Sequence, residues 1–110
     1  MAAYIPQAGD SVWLQFTPRA GYGQAGHRPA VVLSPASYNR IGLMLCSPMT
    51  TKIEGYPFEA VIAGNSDNAV LSDQVKSLDW RARNAQHQGR VAADELAQVR
   101  GKAGALIGKR

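Results

Sequence analysis

Apolar residues in this chain come in short runs, and most runs are closed by glycine, proline or a cluster of Asn, Asp and Ser. That punctuation leaves room for several strands and for only one long helix. Val12, Leu14 and Phe16 alternate with Ser11, Trp13 and Gln15, which predicts a strand over Asp10–Phe16 with one buried face. Trp13 falls on the other face, free to cover an interface. The apolar, β-branched run Ala30 to Leu33 reads as a buried strand over Pro29–Leu33. Further strands are expected over Leu43–Cys46, stopped near Pro48, and over Phe58–Ala63, Ala69–Leu71 and Gln74–Leu78.

The connections carry equally clear signals. Pro18 ends the first strand, and Gly21, Gly23 and Gly26 leave Thr17–Gly26 a long loop. Loops of that length in small domains are usually functional or disordered. Ser34 is an N-cap residue with Pro35 at the first helical position, so Ser34–Asn39 forms a short helical turn. Gly64-Asn65-Ser66-Asp67-Asn68 is a turn. Arg81–Arg90 is ambiguous. Asp94 can cap a last helix running to about Ile107, with Leu96, Val99, Ala103, Leu106 and Ile107 on one face. Gly101 and Gly104 weaken that helix by roughly 1 kcal/mol each, so it needs docking against the sheet. The expected fold is mainly β (α+β): a small, strongly curved antiparallel sheet or barrel, with a short helix after the second strand and a C-terminal helix.

The 110 residues suggest one domain, 1–110, and 45% hydrophobic content allows a core without disulfides. Cys46 stands alone, which excludes an internal disulfide and a cysteine-built metal cluster, and it reads as a small buried hydrophobe. No apolar stretch is long enough to span a membrane, and Met1-Ala2-Ala3-Tyr4 is not a signal peptide, so a cytoplasmic location is expected. The formal charge is +4 and the sequence pI about 9.6, compatible with a polyanionic partner.

Metal, nucleotide and hydrolase signatures are missing. The two histidines, His27 and His87, lie in no HExxH motif. No Walker or dinucleotide glycine pattern occurs, and Ser34 and Ser37 lack a nucleophile elbow. No metal and no cofactor are therefore expected. What remains is a polar set on loops and strand ends: Gln24, His27, Arg28, Thr50, Thr51, Lys52, Gln74 and Lys76, with Tyr22, Tyr56 and Phe58 near it in sequence. Arg28 carries a permanent charge and a planar fork of donors suited to phosphate. Cations beside aromatics describe a single-stranded nucleic acid surface, where phosphates meet Arg or Lys and bases stack on rings. An RNA supplies its own 2′-hydroxyl as nucleophile, leaving the protein to supply a base, an acid and a cation. Each residue also has a plain reading: a solvated cation, a strand cap, a packed ring.

Gly9-Asp10-Ser11-Val12-Trp13 together with Gln24-Ala25-Gly26-His27-Arg28-Pro29-Ala30-Val31-Val32-Leu33-Ser34-Pro35 resembles the MazF/PemK family of toxin endoribonucleases, most of all its MazF branch. Pro48-Met49-Thr50-Thr51, Gly55-Tyr56-Pro57-Phe58-Glu59 and the stretch from Ser72 to Arg83 extend the resemblance over nearly the whole chain. It implies an SH3-like barrel, a homodimer, and sequence-specific, metal-free cleavage of single-stranded mRNA. It also implies a cognate antitoxin whose acidic, disordered tail occupies the RNA groove. Arg28 then matches the catalytic arginine and Thr50 the threonine that accompanies it. Gln24 and His27 fall in the adjacent loop, and Asp73, Gln74 and Lys76 in the RNA-reading stretch. Thr51, Lys52, Tyr56 and Phe58 complete the expected RNA surface. Gly23 departs from the pattern, standing where the family usually has a glutamate, which implies a weakened catalytic centre. Two alternatives stay open: a non-catalytic barrel relative that poisons a gyrase through its C-terminal helix, and a plain single-stranded RNA-binding module.

Overall fold

A computed structural model describes residues 4–15, 27–62 and 68–108. Among them the chain forms β1 (Asp10–Gln15), β2 (His27–Val32), α1 (Ala36–Asn39), β3 (Leu43–Thr50), β4 (Glu59–Ile62), β5 (Asn68–Leu71), β6 (Lys76–Asp79), β7 (Gln86–Arg90) and α2 (Ala93–Ile107). Every strand pair is antiparallel. The order across the sheet is β4-β5-β3-β2-β1-β7, with β6 pairing the first half of β3. This is the mainly β, curled antiparallel architecture with a short helix after β2 and a C-terminal helix.

The expected strand over Leu43–Cys46 runs on through Pro48 to Thr50. Proline lacks an N–H and is normally confined to edges and irregularities. Here it falls where β3 changes partner. Pairing with β6 ends at Cys46, and pairing with β5 begins at Met49. Pro48 therefore sits in the gap and leaves no ladder bond broken on that side. The segment left ambiguous, 81–90, contributes β7, which pairs with β1. Its residues are nearly all polar, so no alternation marked it; the Arg90 guanidinium donates to Asp10 Oδ1 at 2.6 Å and ties it down. Gln74 lies in the turn before β6 rather than in the strand.

Two cores form on opposite faces of the curled sheet. Val12, Leu14, Ala30, Val32, Met44, Cys46, Leu78 and Trp80 fill one. Val31, Leu33, Met49, Ala60, Ile62, Val70, Val91 and Val99 fill the other, beneath α2. β2 feeds both, which is why its sequence reads as an unbroken apolar run. Asn39 is fully buried, donates to Pro6 O (2.8 Å) and Ser34 O (2.9 Å), and its carbonyl accepts from the Trp80 indole at 2.7 Å. That one side chain and its carbonyl join the N-terminal segment, the β2–α1 turn and the end of β6.

α2 begins two residues earlier than Asp94 suggested, with Ala92 rather than Asp94 at the cap position. Glu95 accepts from the Ala92 N–H at 2.8 Å, while Ala92 has no side-chain acceptor to return. Gly108 ends the helix in the left-handed region, φ +92°. Val99 and Ala103 are buried, but Leu106 and Ile107 are exposed, so the expected stripe is covered only as far as Ala103. Arg100 Nε donates to Leu33 O at 3.1 Å, and Lys102 Nζ donates to the carbonyls of Pro57 (3.0 Å) and Glu59 (2.7 Å). Polar side chains thus share the docking of α2 with the apolar ones.

Leu14 is fully buried. Leu14→Ala should cost about 2–5 kcal/mol in urea unfolding. Leu106→Ala should stay within about 0.5 kcal/mol of the parent chain. Equal costs at the two positions would contradict the division between covered and uncovered leucines.

Candidate functional site

Strand alternation decides where the candidate residues point. Along β2, Ala30 and Val32 face the first core, and Arg28, two residues earlier, shares their side. Arg28 is exposed and pairs with Leu14 of β1, so it stands where that core ends. β2 and β3 pair Val32 with Cys46, Val31 with Ser47 and Ala30 with Pro48. Continued past Ala30, this register sets Arg28 against Thr50. The extension points a residue 22 positions away toward the arginine.

Thr50 ends β3 and is half-buried. Its Oγ1 accepts from the Lys52 N–H at 3.0 Å. That bond fixes the hydroxyl oxygen and leaves its own O–H free to donate. Thr51 and Lys52 are exposed. Lys52 Nζ lies 3.9 Å from Glu54 Oε2 with both side chains in water, a pairing too weak to hold either. Lys76 pairs directly with Cys46 across β3–β6, so it lies on the same face as Arg28 and Thr50. Burial pushes the Cys46 thiol up to about 12, although the Arg83 and Lys76 charges pull the other way. At neutral pH Cys46 is a thiol and no nucleophile.

Beside Thr50 lies a cleft of about 310 Å³ lined by Thr50, Lys52, Glu54, Tyr56, Glu59, Leu71, Asp73 and Gln74. Register places it on the same side of the sheet, because Thr50 pairs with Ala69 and Glu59 with Leu71. The Tyr56 hydroxyl donates to Asp73 Oδ2 at 2.5 Å, and its ring meets Phe58 edge-on at 5.7 Å. The bond to Asp73 raises the Tyr56 pKa, with burial and the carboxylate's charge adding to it. Tyr56 therefore stays a hydrogen-bond donor through the physiological range. Asp73 Oδ1 is buried with no partner.

Thr50, Lys52, Tyr56, Asp73 and Gln74 thus meet in one cleft, whose lining does not include Arg28. Phe58 supports Tyr56 from behind. Thr51 lies outside the lining. His27 is not brought to Arg28. It stacks on Trp13 (5.9 Å, 20°), on the opposite face of β2. Gly23 and Gln24 lie outside the described residues.

Sequence reasoning missed Glu59, a buried carboxylate that accepts from the N–H groups of Glu54, Gly55 and Tyr56. The sequence marks only an acid within the apolar run Phe58 to Ile62, four residues after Gly55, and not its backbone partners.

Comparison with known proteins is consistent with this geometry. A sequence model described as the PemK-like, MazF-like toxin of type II toxin–antitoxin systems matches residues 7–107. The endoribonuclease toxin MazF of Escherichia coli K12 is 51% identical over 110 residues, covering 98% of this chain and 99% of that protein. A crystal structure of MazE–MazF from Deinococcus radiodurans superposes with a TM-score of 0.88 at 50% identity, covering 97% of this chain and 100% of that one. MazF alone from the same organism gives 0.86 at 52% identity, over 96% and 99%.

The Tyr56–Asp73 bond can be tested directly. Asp73→Asn should move the Tyr56 pKa down toward the ordinary tyrosine value, because the neutral amide no longer favours the protonated phenol. Carbon-13 titration of the labelled phenol ring checks it. An unchanged midpoint would show that the hydroxyl has another acceptor in solution.

Proposed function

Because the chain belongs to the PemK-like, MazF-like toxin family of type II toxin–antitoxin systems, we propose that it is an endoribonuclease toxin, a single domain that cuts single-stranded mRNA at specific sequences without a metal. The observation that carries this is the β2–β3 register, which, extended two residues past the Ala30–Pro48 pair, sets an exposed, permanently charged arginine toward a threonine at the end of β3. A gyrase poison acting through its C-terminal helix has no use for that pair.

The chemistry is transesterification within the RNA. The 2′-oxygen attacks the adjacent phosphorus and gives up its proton. The P–O5′ bond breaks, and the 5′-oxygen leaves with a proton. A 2′,3′-cyclic phosphate and a 5′-hydroxyl result. Arg28 holds the negative charge that grows on the phosphoryl oxygens. Thr50, its oxygen fixed by the Lys52 N–H, donates to the phosphate or orients the attacking hydroxyl. Lys76 and Lys52 add phosphate contacts beside it, while Tyr56, Asp73 and Gln74 meet a neighbouring base in the cleft. Gln24 belongs to the same surface by resemblance.

Proton transfer is the step in which this chain differs from its family. Resemblance places a carboxylate where Gly23 stands, and glycine can neither accept a proton nor hold the guanidinium. His27, the nearest imidazole in sequence, faces the other side of β2. We infer that the chain cuts RNA more slowly than relatives carrying the acid. It works in the cytoplasm as a homodimer, restrained by a cognate antitoxin. The Deinococcus radiodurans MazE–MazF complex, whose MazF-like chain is 50% identical, supports that last point.

Primer extension on a long RNA exposed to the purified protein in EDTA tests the function: discrete stops at a shared short sequence are expected. Uncut RNA that still binds would favour the RNA-binding module. Arg28→Ala should lower the single-turnover rate by about 10²–10³ with an unchanged melting temperature. Cleavage within about threefold of the parent chain would remove Arg28 from the chemistry. Gly23→Glu should raise the rate by at least about tenfold, since a positioned acid–base group is worth 10²–10⁴. Equal or lower activity in a variant that melts normally would place proton transfer elsewhere.

A further inference from the structure

We propose that Glu59 is a positioning residue for base recognition: its carboxylate fixes the 54–56 segment so that the Tyr56 ring is held as one wall of the cleft before RNA arrives. The proposal rests on the RNA-cleaving reading above and deepens it.

Glu59 opens β4, the edge strand of the sheet. A charged side chain there would ordinarily lie in water. Instead it is 8% exposed. Oε1 accepts from the N–H groups of Gly55 (3.0 Å), Tyr56 (3.2 Å) and Glu54 (3.3 Å), and Oε2 from Glu54 at 3.1 Å. Three successive backbone N–H groups thus converge on one carboxylate, an anion-binding nest filled by the protein's own side chain. Gly55 adopts φ +77°, the left-handed conformation glycine favours, which lets the segment bend around the acid. The Glu59 N–H donates back to the Tyr56 carbonyl at 3.0 Å and closes the turn.

The same segment is held from behind. Lys102 reaches from α2 and donates to the main-chain carbonyls of Pro57 and Glu59. The carboxylate works on the cleft side and the lysine from the helix. Between them the segment that carries Tyr56 is fixed at both ends.

These bonds go to the wall of the cleft rather than to the core. β4 is anchored to the core by Ala60 and Ile62, both buried. Glu59's bonds hold residues that belong to no strand or helix and that line the space beside Thr50. The product of the clamp is a placed aromatic ring, with Tyr56 half open to solvent and its hydroxyl on Asp73. A ring ordered in advance spares the ordering cost on binding, worth about two- to tenfold in affinity per side chain. The cleft is also rich in carboxylates, from Glu54, Glu59 and Asp73, whose charge repels phosphate. Phosphate is left to Arg28 and its neighbours, and the cleft to a base.

The test uses the full chain and a short single-stranded RNA spanning a site mapped by primer extension. Deoxyribose at the cut nucleotide lets the RNA bind uncut. Glu59→Gln should weaken binding by about three- to tenfold and raise KM similarly, with kcat at saturation within about threefold. Hydrogen exchange should accelerate at the amides of 54–56. Tyr56→Ala should weaken binding as well, and Glu59→Gln should add nothing further in that background. A merely structural role would instead produce independent, multiplying losses. Should Glu59→Gln not fold, Lys102→Ala releases the same segment from the helix side; its smaller loss should likewise vanish in the Tyr56→Ala background. Unchanged binding in a Glu59→Gln chain that folds and cuts overturns this proposal alone, as does a fall confined to kcat. A parent chain that cuts no RNA overturns the RNA-cleaving reading and this proposal with it.

Discussion

β2 has no face left for water over Ala30, Val31 and Val32. It pairs with β1 on one edge and β3 on the other, and it sends side chains into a separate core on each face. Such a strand has one register and one orientation, because a slip of one residue would exchange the two cores. The precision of the site follows from this. Where the cores stop, the same alternation that buried Ala30 and Val32 sends Arg28 to their side and His27 to the other. A short, costly-to-move strand thus delivers the Arg28 guanidinium to one face of the sheet.

Charge is sorted across the surface that results. Arg28 and Lys76 stand on the face where the first core ends. The neighbouring cleft is lined by Lys52, Glu54, Glu59 and Asp73 among others. Cations and carboxylates this close would collapse into ion pairs if all were free to move. They do not, because the carboxylates are occupied locally. Glu59 is taken by backbone N–H groups and Asp73 by the Tyr56 hydroxyl. Among the described residues, the ion pair in this region, Lys52 with Glu54, is long and solvated. On the proposed reading, such a surface meets RNA with phosphates beside Arg28 and Lys76 and bases beside the cleft.

Much of this was legible in the chain, for identifiable reasons. β1 and β2 announced themselves because burial on one face writes alternation and burial on two faces writes an apolar run. Arg28 was legible because an arginine next to such a run has little freedom in where it points. β3 was read short because Pro48 is a strand breaker wherever a ladder needs its N–H, and sequence does not show that the partners change there. β7 was hidden because its stability comes from pairing with β1 and from Arg90 on Asp10, contacts 80 residues apart. The face of α2 was drawn too long: helical periodicity gives the direction of a stripe but not how far the sheet beneath it extends. Glu59 escaped because a buried acid is legible only with its partners, and those are backbone N–H groups that carry no side-chain signature.

Thr50 belongs to both halves of this surface, which explains why it is a hydroxyl residue at a strand end. Its backbone terminates β3 and pairs with Ala69. Register sets it against Arg28, and its side chain lines the cleft beside Tyr56 and Asp73. A larger side chain would fill the cleft, and an apolar one would leave the Lys52 N–H without its acceptor. On the proposed reading, a base against Tyr56 and a phosphate against Arg28 are registered to each other through Thr50. Sequence preference and cleavage position are then two readings of a single geometry.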